Sequence, residues 1–298
     1  MTDPNLADLD AFVAVAHARS FRAAARLRGV SASALSEALR RLEARLGARL
    51  LNRTTRSVTP TQAGERLLER VGPAIREIGS ALDTVNASAD TPAGTLRINA
   101  PTVVVRHVLP GIVARFLGAY PGIVLEVETN DSFIDVLAEG FDAGIRYEER
   151  VERDMIAVPI GPRSQRFVLA GTPGYLAAQG VPRHPRDLLG HACIRHRFAS
   201  RVTVQWEFER GGETVRIAPS GPLIATTPEL EVHTALAGLG LVCTFEDYLR
   251  EGLDDGRLVP LLEDWLPPFS GPRLYFADRQ HMPVPLRAFV DFIKADDG

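Results

Sequence analysis

The stretch Ser20–Gly47 constrains this 298-residue chain most, because it holds two short amphipathic helix patterns with a glycine turn between them. Leu6, Leu9, Phe12, Val13 and Ala16 recur at helical spacing ahead of it and mark a first helix. Ser20 stands where a cap belongs, before Phe21, Ala24, Ala25 and Leu27, and Gly29 allows the left-handed turn that ends this second helix. Ser31 or Ser33 caps a third helix, with Leu35, Leu39, Leu42 and Leu46 on its apolar side and Gly47 as its stop. Two short helices across a tight glycine turn make a helix-turn-helix, whose second helix enters the major groove of DNA. Leu50–Thr59, polar, basic and β-branched, suits a small hairpin wing.

Charge is distributed to match. Residues 1–60 carry ten Arg against five acidic residues, whereas the other 238 carry 24 basic and 32 acidic groups. The overall charge of −3 therefore hides a basic module joined to an acidic remainder, the pattern of a chain that meets a polyanion at one end only. Apolar residues at 45% and charged residues at 24% are enough for real cores, and the length predicts two or three compact units. The opening MTDPNLADLD has neither a basic nor an apolar leader segment. The longest weakly polar run, Thr234–Phe245, is well short of the roughly 18 residues of a membrane span. Two cysteines make no disulfide framework. A cytoplasmic protein with no membrane partner is expected.

From Thr61 the pattern becomes one long helix. Leu68, Val71, Ile75, Ile78, Leu82, Val85 and Ala89 follow alternating steps of three and four, a heptad seam. It is read as a dimerising helix, the alternative being a helix packed on its own domain. Pro73 removes one backbone bond and is expected to kink it. Ser88–Gly94 reads as a linker. Beyond it strands and helices alternate: Thr95–Asn99, Ile123–Thr129, Asp142–Tyr147, Phe167–Ala170, Leu223–Thr226 and Leu274–Ala277 as strands. Thr102–Ala119, Ser132–Glu139, Gly174–Gln179, Glu229–Ala237 and Pro285–Lys294 are the expected helices. Such alternation implies parallel sheets flanked by helices, interrupted by a hairpin over Val204–Ile217.

The first 64 residues resemble the DNA-binding domain of LysR-type transcriptional regulators. The matching residues are Leu9–Ala16, Ser20-Phe21, Ala24-Ala25, Ser31–Ser36, Leu42–Gly47, Leu50, Arg53–Arg56 and Thr61–Gly64. Similarity continues through Tyr120-Pro121, Glu139–Arg146, Pro173–Leu176, Ala237–Gly240, Gly256–Val259 and Arg287–Val290, and so covers essentially the whole chain. Ala32, Glu37, Leu51 and Pro60 depart from the family's usual residues; the first two bear on base preference rather than on DNA binding. The resemblance implies a winged helix-turn-helix at 1–60 and a linker and dimerisation helix at 61–91. A two-lobed, periplasmic-binding-protein-like (type 2) α/β effector domain then covers 92–298, with lobe I at about 92–162 and 267–298 and lobe II at about 163–266. It also favours a tetramer, and RNA polymerase stands as a further candidate partner. No cofactor or catalytic residue is expected.

On that frame Ser31, Ser33, Ser36 and Glu37 are candidates to meet base edges, since hydroxyls donate or accept and a carboxylate accepts from a cytosine amine. Arg53 and Arg56 in the wing, with Arg22, Arg40 and Arg41, are candidates for phosphate or minor-groove contacts. Each serine taken alone is equally a cap or a solvated residue, and each arginine a solvated charge. For the effector, the strand ends supply Thr102, Asn130, Asp131, Thr226 and Thr227. Arg195, His196 and Phe198, following another strand, are candidates for the opposite wall. Thr102 also begins a helix, which suits an anionic group and points to an organic-acid effector. An enzyme or a transport-type binder is the rival reading for the α/β part. His191-Ala-Cys193-Ile-Arg-His196 matches no zinc spacing, however, and Gly238-Leu-Gly240 lacks the context of a dinucleotide loop.

Overall fold

The computed structural model describes residues 5–53, 58–86, 92–131, 140–147, 155–198, 200–277 and 282–296. Its N-terminal part is α1 (Leu6–Ala18), α2 (Phe21–Arg28) and α3 (Ala32–Leu46), followed by a two-stranded ribbon, β1 (Leu51–Arg53) and β2 (Val58–Pro60). Local chemistry sets each boundary. Asn5, Ser20 and Ser31 accept the N–H of Ala7, Ala23 and Ala34, and Gly29 and Gly47 close α2 and α3 at φ +65°. Ser31, not Ser33, is therefore the cap of α3. Phe12, Val15, Ala24, Leu39 and Leu42 are completely enclosed where the three helices meet.

The long helix α4 (Gln62–Asn86) starts from Thr61, whose hydroxyl accepts the N–H of Gly64 and donates to Arg49 O. A Cβ on Gly64 would lie 2.1 Å from Leu50 O, so only glycine lets the helix pass so close to the wing. Leu67, Leu68, Val71 and Ile75 pack against the N-terminal core. This corrects the seam reading for its first half: Leu68, Val71 and Ile75 are used within the chain, because α4 crosses the apolar flank of α1. Ile78 is 42% exposed. The side chains of Leu82 and Val85, and residue Ala89, lie outside the described residues. Pro73 sits inside α4, which continues on both sides of it.

The remaining chain forms two mixed sheets. In order come β3 (Ala93–Ala100), α5 (Thr102–His107), α6 (Leu109–Ala119), β4 (Gly122–Thr129), β5 (Ala143–Arg146) and β6 (Met155–Pro159). β7 (Ser164–Gln165), β8 (Phe167–Gly171), α7 (Pro173–Gln179), β9 (Cys193–His196) and the hairpin β10 (Trp206–Arg210) and β11 (Glu213–Ile217) follow. β12 (Ile224–Ala225), α8 (Pro228–Leu236), β13 (Leu241–Phe245), α9 (Glu246–Asp254), β14 (Val259–Leu261), β15 (Phe269–Ser270), β16 (Arg273–Ala277) and α10 (Val284–Asp296) complete it. One sheet has the order β4-β3-β5-β16-β6 and the other β12-β9-β13-β8-β14, each the floor of a lobe. The chain crosses between lobes twice, and the crossing segments pair with each other as β7 and β15.

Three expectations change. The sheets are mixed rather than parallel: β16 returns from the second lobe antiparallel to both β5 and β6, and β8 runs against β13 and β14. The single helix expected over Thr102–Ala119 breaks at Val108, because Pro110 has no N–H to give Arg106 O and its ring would strike that carbonyl. Arg195 and His196 lie within β9 instead of after it. The helix expected at Ser132–Glu139 falls outside the described residues. Leu96, Ile98 and Ala100 of β3 form the centre of the first lobe with Phe116 and Phe289.

Candidate DNA interface and effector cleft

With Leu35, Ala38, Leu39 and Leu42 turned to the core, α3 leaves Ser33, Glu37, Arg40 and Arg41 exposed and Ser36 half-buried on its outer side. Ser31 is exposed too, but its oxygen already serves Ala34 N–H and lies 2.9 Å from Ser33 Oγ. The arginines divide into two kinds. Arg22 and Arg40 are exposed and make no ion pair among the described residues. Arg41 donates to Asp8 at 2.7 Å and stands 3.9 Å from Glu37, and the Asp8 carboxylate holds its guanidinium above the ordinary range. Arg53 donates to Glu43 at 3.0 Å and lies over the Phe21 ring at 5.1 Å. Glu43 also accepts the backbone N–H of Leu50 and Leu51, so one carboxylate ties α3 to the root of the wing. Arg56 lies outside the described residues.

Sequence reasoning missed Asp8 and the supporting part of Glu43. The signal was present for Asp8: positions 8, 12 and 15 share one face of α1, and Asp8 is the single charge on it. Nothing local announced that its partner stands 33 residues away.

In the α/β part, Asp131 accepts both the N–H and the hydroxyl of Thr102, at 2.7 and 2.6 Å. The Thr102 N–H and hydroxyl, expected to face an anionic effector, are thus both engaged by the chain's own carboxylate. Asn130 continues β4 by donating its N–H to Ala100 O. Next to this corner Arg146 donates to the enclosed Asn99 and to Ile145 O, and burial lowers its pKa while Asp131 opposes that shift. Across the molecule His196 Nδ1 meets the buried Glu231 at 2.7 Å, with the Phe198 ring edge-on to the imidazole. Arg195, one residue earlier in the strand, points to the opposite face, so Arg195 and His196 do not share a wall. Thr226 and Thr227 are exposed ahead of α8, and Thr227 makes no side-chain cap.

Contacts between the lobes involve residues the sequence reading did not single out. Arg106 of α5 pairs with Glu229 of α8 at 2.7 Å, and the His107 ring packs edge-on against Tyr248 of α9. Tyr147 donates to Gln165, which donates to Asp247, a chain from β5 through the crossover to α9. Tyr147, Phe167, Phe245 and Phe269 cluster around it. Burial pushes the Tyr147 and Tyr248 hydroxyls up and the His107 imidazole down, each toward its neutral form. His191, Cys193 and His196 go separate ways, to Tyr175, Leu188 O and Glu231.

A winged helix-turn-helix carried on a long helix beside a two-lobed α/β unit defines a DNA-binding regulator with an effector-binding domain. Residues 6–65 match the model of the bacterial regulatory helix-turn-helix protein, lysR family, and residues 89–297 that of the LysR substrate binding domain. The chain belongs to the LysR family of transcriptional regulators. It is 43% identical to the uncharacterized HTH-type transcriptional regulator YcaN of Escherichia coli, over 97% of this chain and 95% of that one. It is 37% identical to PgrR of the same organism, over 99% and 98%. Among solved structures, the Vibrio cholerae virulence activator AphB matches with a TM-score of 0.63 at 26% identity, covering 98% of this chain and 99% of that one. CrgA of Neisseria meningitidis matches with 0.59 at 27%, covering 99% and 100%. These relatives are regulators, and the chain is not an enzyme.

Proposed function

We propose that this regulator binds an interrupted inverted-repeat operator as an oligomer and is controlled by a small organic acid in the cleft between its lobes. Residues 1–60 serve as the DNA module, 61–91 as the linker and 92–298 as the sensor, in a cytoplasmic protein that also meets RNA polymerase. The observation that carries the DNA half is the outer row of α3, Ser33, Ser36, Glu37 and Arg40, presented on a helix whose other side is core. Two copies pair through α4 beyond Ile75, where Ile78 is open, and a pair of such dimers makes the tetramer. Mobility-shift titration against duplexes from the gene's own promoter region, at rising salt, tests this; a steep fall of affinity with salt is expected. A monomer indifferent to those duplexes at low salt would overturn it.

The effector's carboxylate takes Thr102 N–H and Oγ from Asp131, and the displaced Asp131 turns to Arg146, whose charge it already stabilises. That exchange changes which groups brace the cleft and so shifts the balance between DNA-bound arrangements. A thermal-shift panel of organic acids and of amines tests the class. Stabilisation by acids alone supports it, and stabilisation by amines alone reverses it.

A further inference from the structure

We propose that Asp8 is a positioning residue for operator recognition: from inside α1 it fixes the Arg41 guanidinium on α3, so that this arginine meets the DNA backbone as a preset group. Asp8 has no exposed surface, and its neighbours on that face of the helix, Ala11, Phe12, Val15 and Ala16, are core residues. A carboxylate enclosed this way is unfavourable unless cations compensate it. Both cations come from α3: Arg41 at 2.7 Å and, one turn later, Arg45 at 3.7 Å. Arg41 is nevertheless half exposed, with one nitrogen bound to the enclosed carboxylate. Glu37, one turn earlier at 3.9 Å, borders the same guanidinium on its outer side.

Holding an arginine by one nitrogen removes most of its rotamer freedom before DNA arrives, leaving the remaining N–H groups for a phosphate oxygen. Arg22 and Arg40, without such a brace, must order themselves on contact. The brace also fixes α3 against α1, adding to their apolar packing and to the longer Asp8–Arg45 pair a charged hydrogen bond between the two helices. The two roles reinforce each other: the same bond that sets the angle of the recognition helix sets the reach of its third-turn cation.

This inference rests on α3 being the DNA-reading helix, and its test separates the two. Binding of the unaltered full-length protein to its promoter duplex tests the helix. The brace is tested by Asp8→Asn, which keeps shape, and Asp8→Leu, which exchanges the buried charge for apolar volume. Simple electrostatics expects either change to tighten DNA binding, because an acidic group has left a basic module. Positioning expects the reverse: operator affinity falls about tenfold while thermal unfolding of the Leu variant is unchanged or raised. Arg41→Ala, which leaves Asp8 to Arg45, is expected to match that loss and to lower the slope of log affinity against log salt by about one. In the Arg41→Ala background Asp8→Asn then adds nothing, whereas in the Arg40→Ala background its loss persists in full. Equal or tighter operator binding by the Asp8 variants overturns the proposal, as does an Asp8→Asn loss that survives in the Arg41→Ala background. Should the Asp8 variants fail to fold, an Arg41→Ala salt slope equal to that of the unaltered protein overturns it.

Discussion

The N-terminal and C-terminal parts of this regulator keep their order by different means. In the DNA module each helix carries its own cap and stop, and two of the polar ties that cross it, Asp8–Arg41 and Glu43–Arg53, span 33 and 10 residues. In the effector domain polar ties run between lobes, from Arg106 to Glu229 and from Tyr147 through Gln165 to Asp247, over far longer separations. A module held by local signals is preformed and presents its surface whether or not anything binds. A domain whose halves meet through a few exposed or half-buried polar contacts can exchange them when a ligand enters.

The largest effect that separates the two parts is expected from Phe12→Ala. The enclosed ring is the centre of the helix-turn-helix core, and its loss costs about 3–5 kcal/mol. Operator binding should vanish while the thermal response to effector survives; loss of both would mean that the two parts fold as one unit. Next comes Glu43→Ala, which strands the Leu50 and Leu51 N–H groups and frees Arg53, at about 2–3 kcal/mol to the DNA module. Because Arg53 is held by Glu43 and Phe21, Arg53→Ala should weaken operator binding by moving the wing. Mobility-shift titration should show a loss shared by Glu43→Ala and Arg53→Ala, and additive losses would deny the link.

Acid should act on the effector domain in a different way. His107 is held toward its neutral form by burial against Tyr248, so its folded pKa lies below the ordinary 6.5. As pH falls below that ordinary value the unfolded chain takes up the proton first. The stability the group contributes is present above it and is lost as pH falls through the lowered pKa. Chemical denaturation of the unaltered protein and of His107→Gln across this range should show the slope only in the former. The smallest effect is expected from Glu229→Gln. Its pair with Arg106 is partly exposed and contributes about 0.5 kcal/mol, yet it joins the lobes. A change in effector affinity with little change in melting temperature would sharpen the view of this contact as a latch, and no change in either would remove it.

Much of the architecture was legible without coordinates. Ser20, Gly29 and Gly47 delimit helices by chemistry that acts within four residues, so α2 and α3 could be placed from the sequence, as could the hairpin turn at Gly211-Gly212. Pro110 marks a break that the apolar pattern of Thr102–Ala119 concealed. The strand β16 defeats local reading for another reason: Leu274–Ala277 looks the same whether it runs with or against its neighbours. Its direction depends on how the chain returns from the second lobe.

By itself, then, the order of residues determined where α2 and α3 begin and end, which face of each is apolar, and that a basic module precedes an acidic remainder. Capping, glycine turns and periodicity act over a few residues and need no partner. Only the tertiary structure decided that Asp8 clasps Arg41, that Leu68, Val71 and Ile75 are used at home, and that Asp131 fills the corner at Thr102. Those outcomes depend on which distant surfaces come within a few ångströms, and charge pairing and burial have no fixed spacing along a chain.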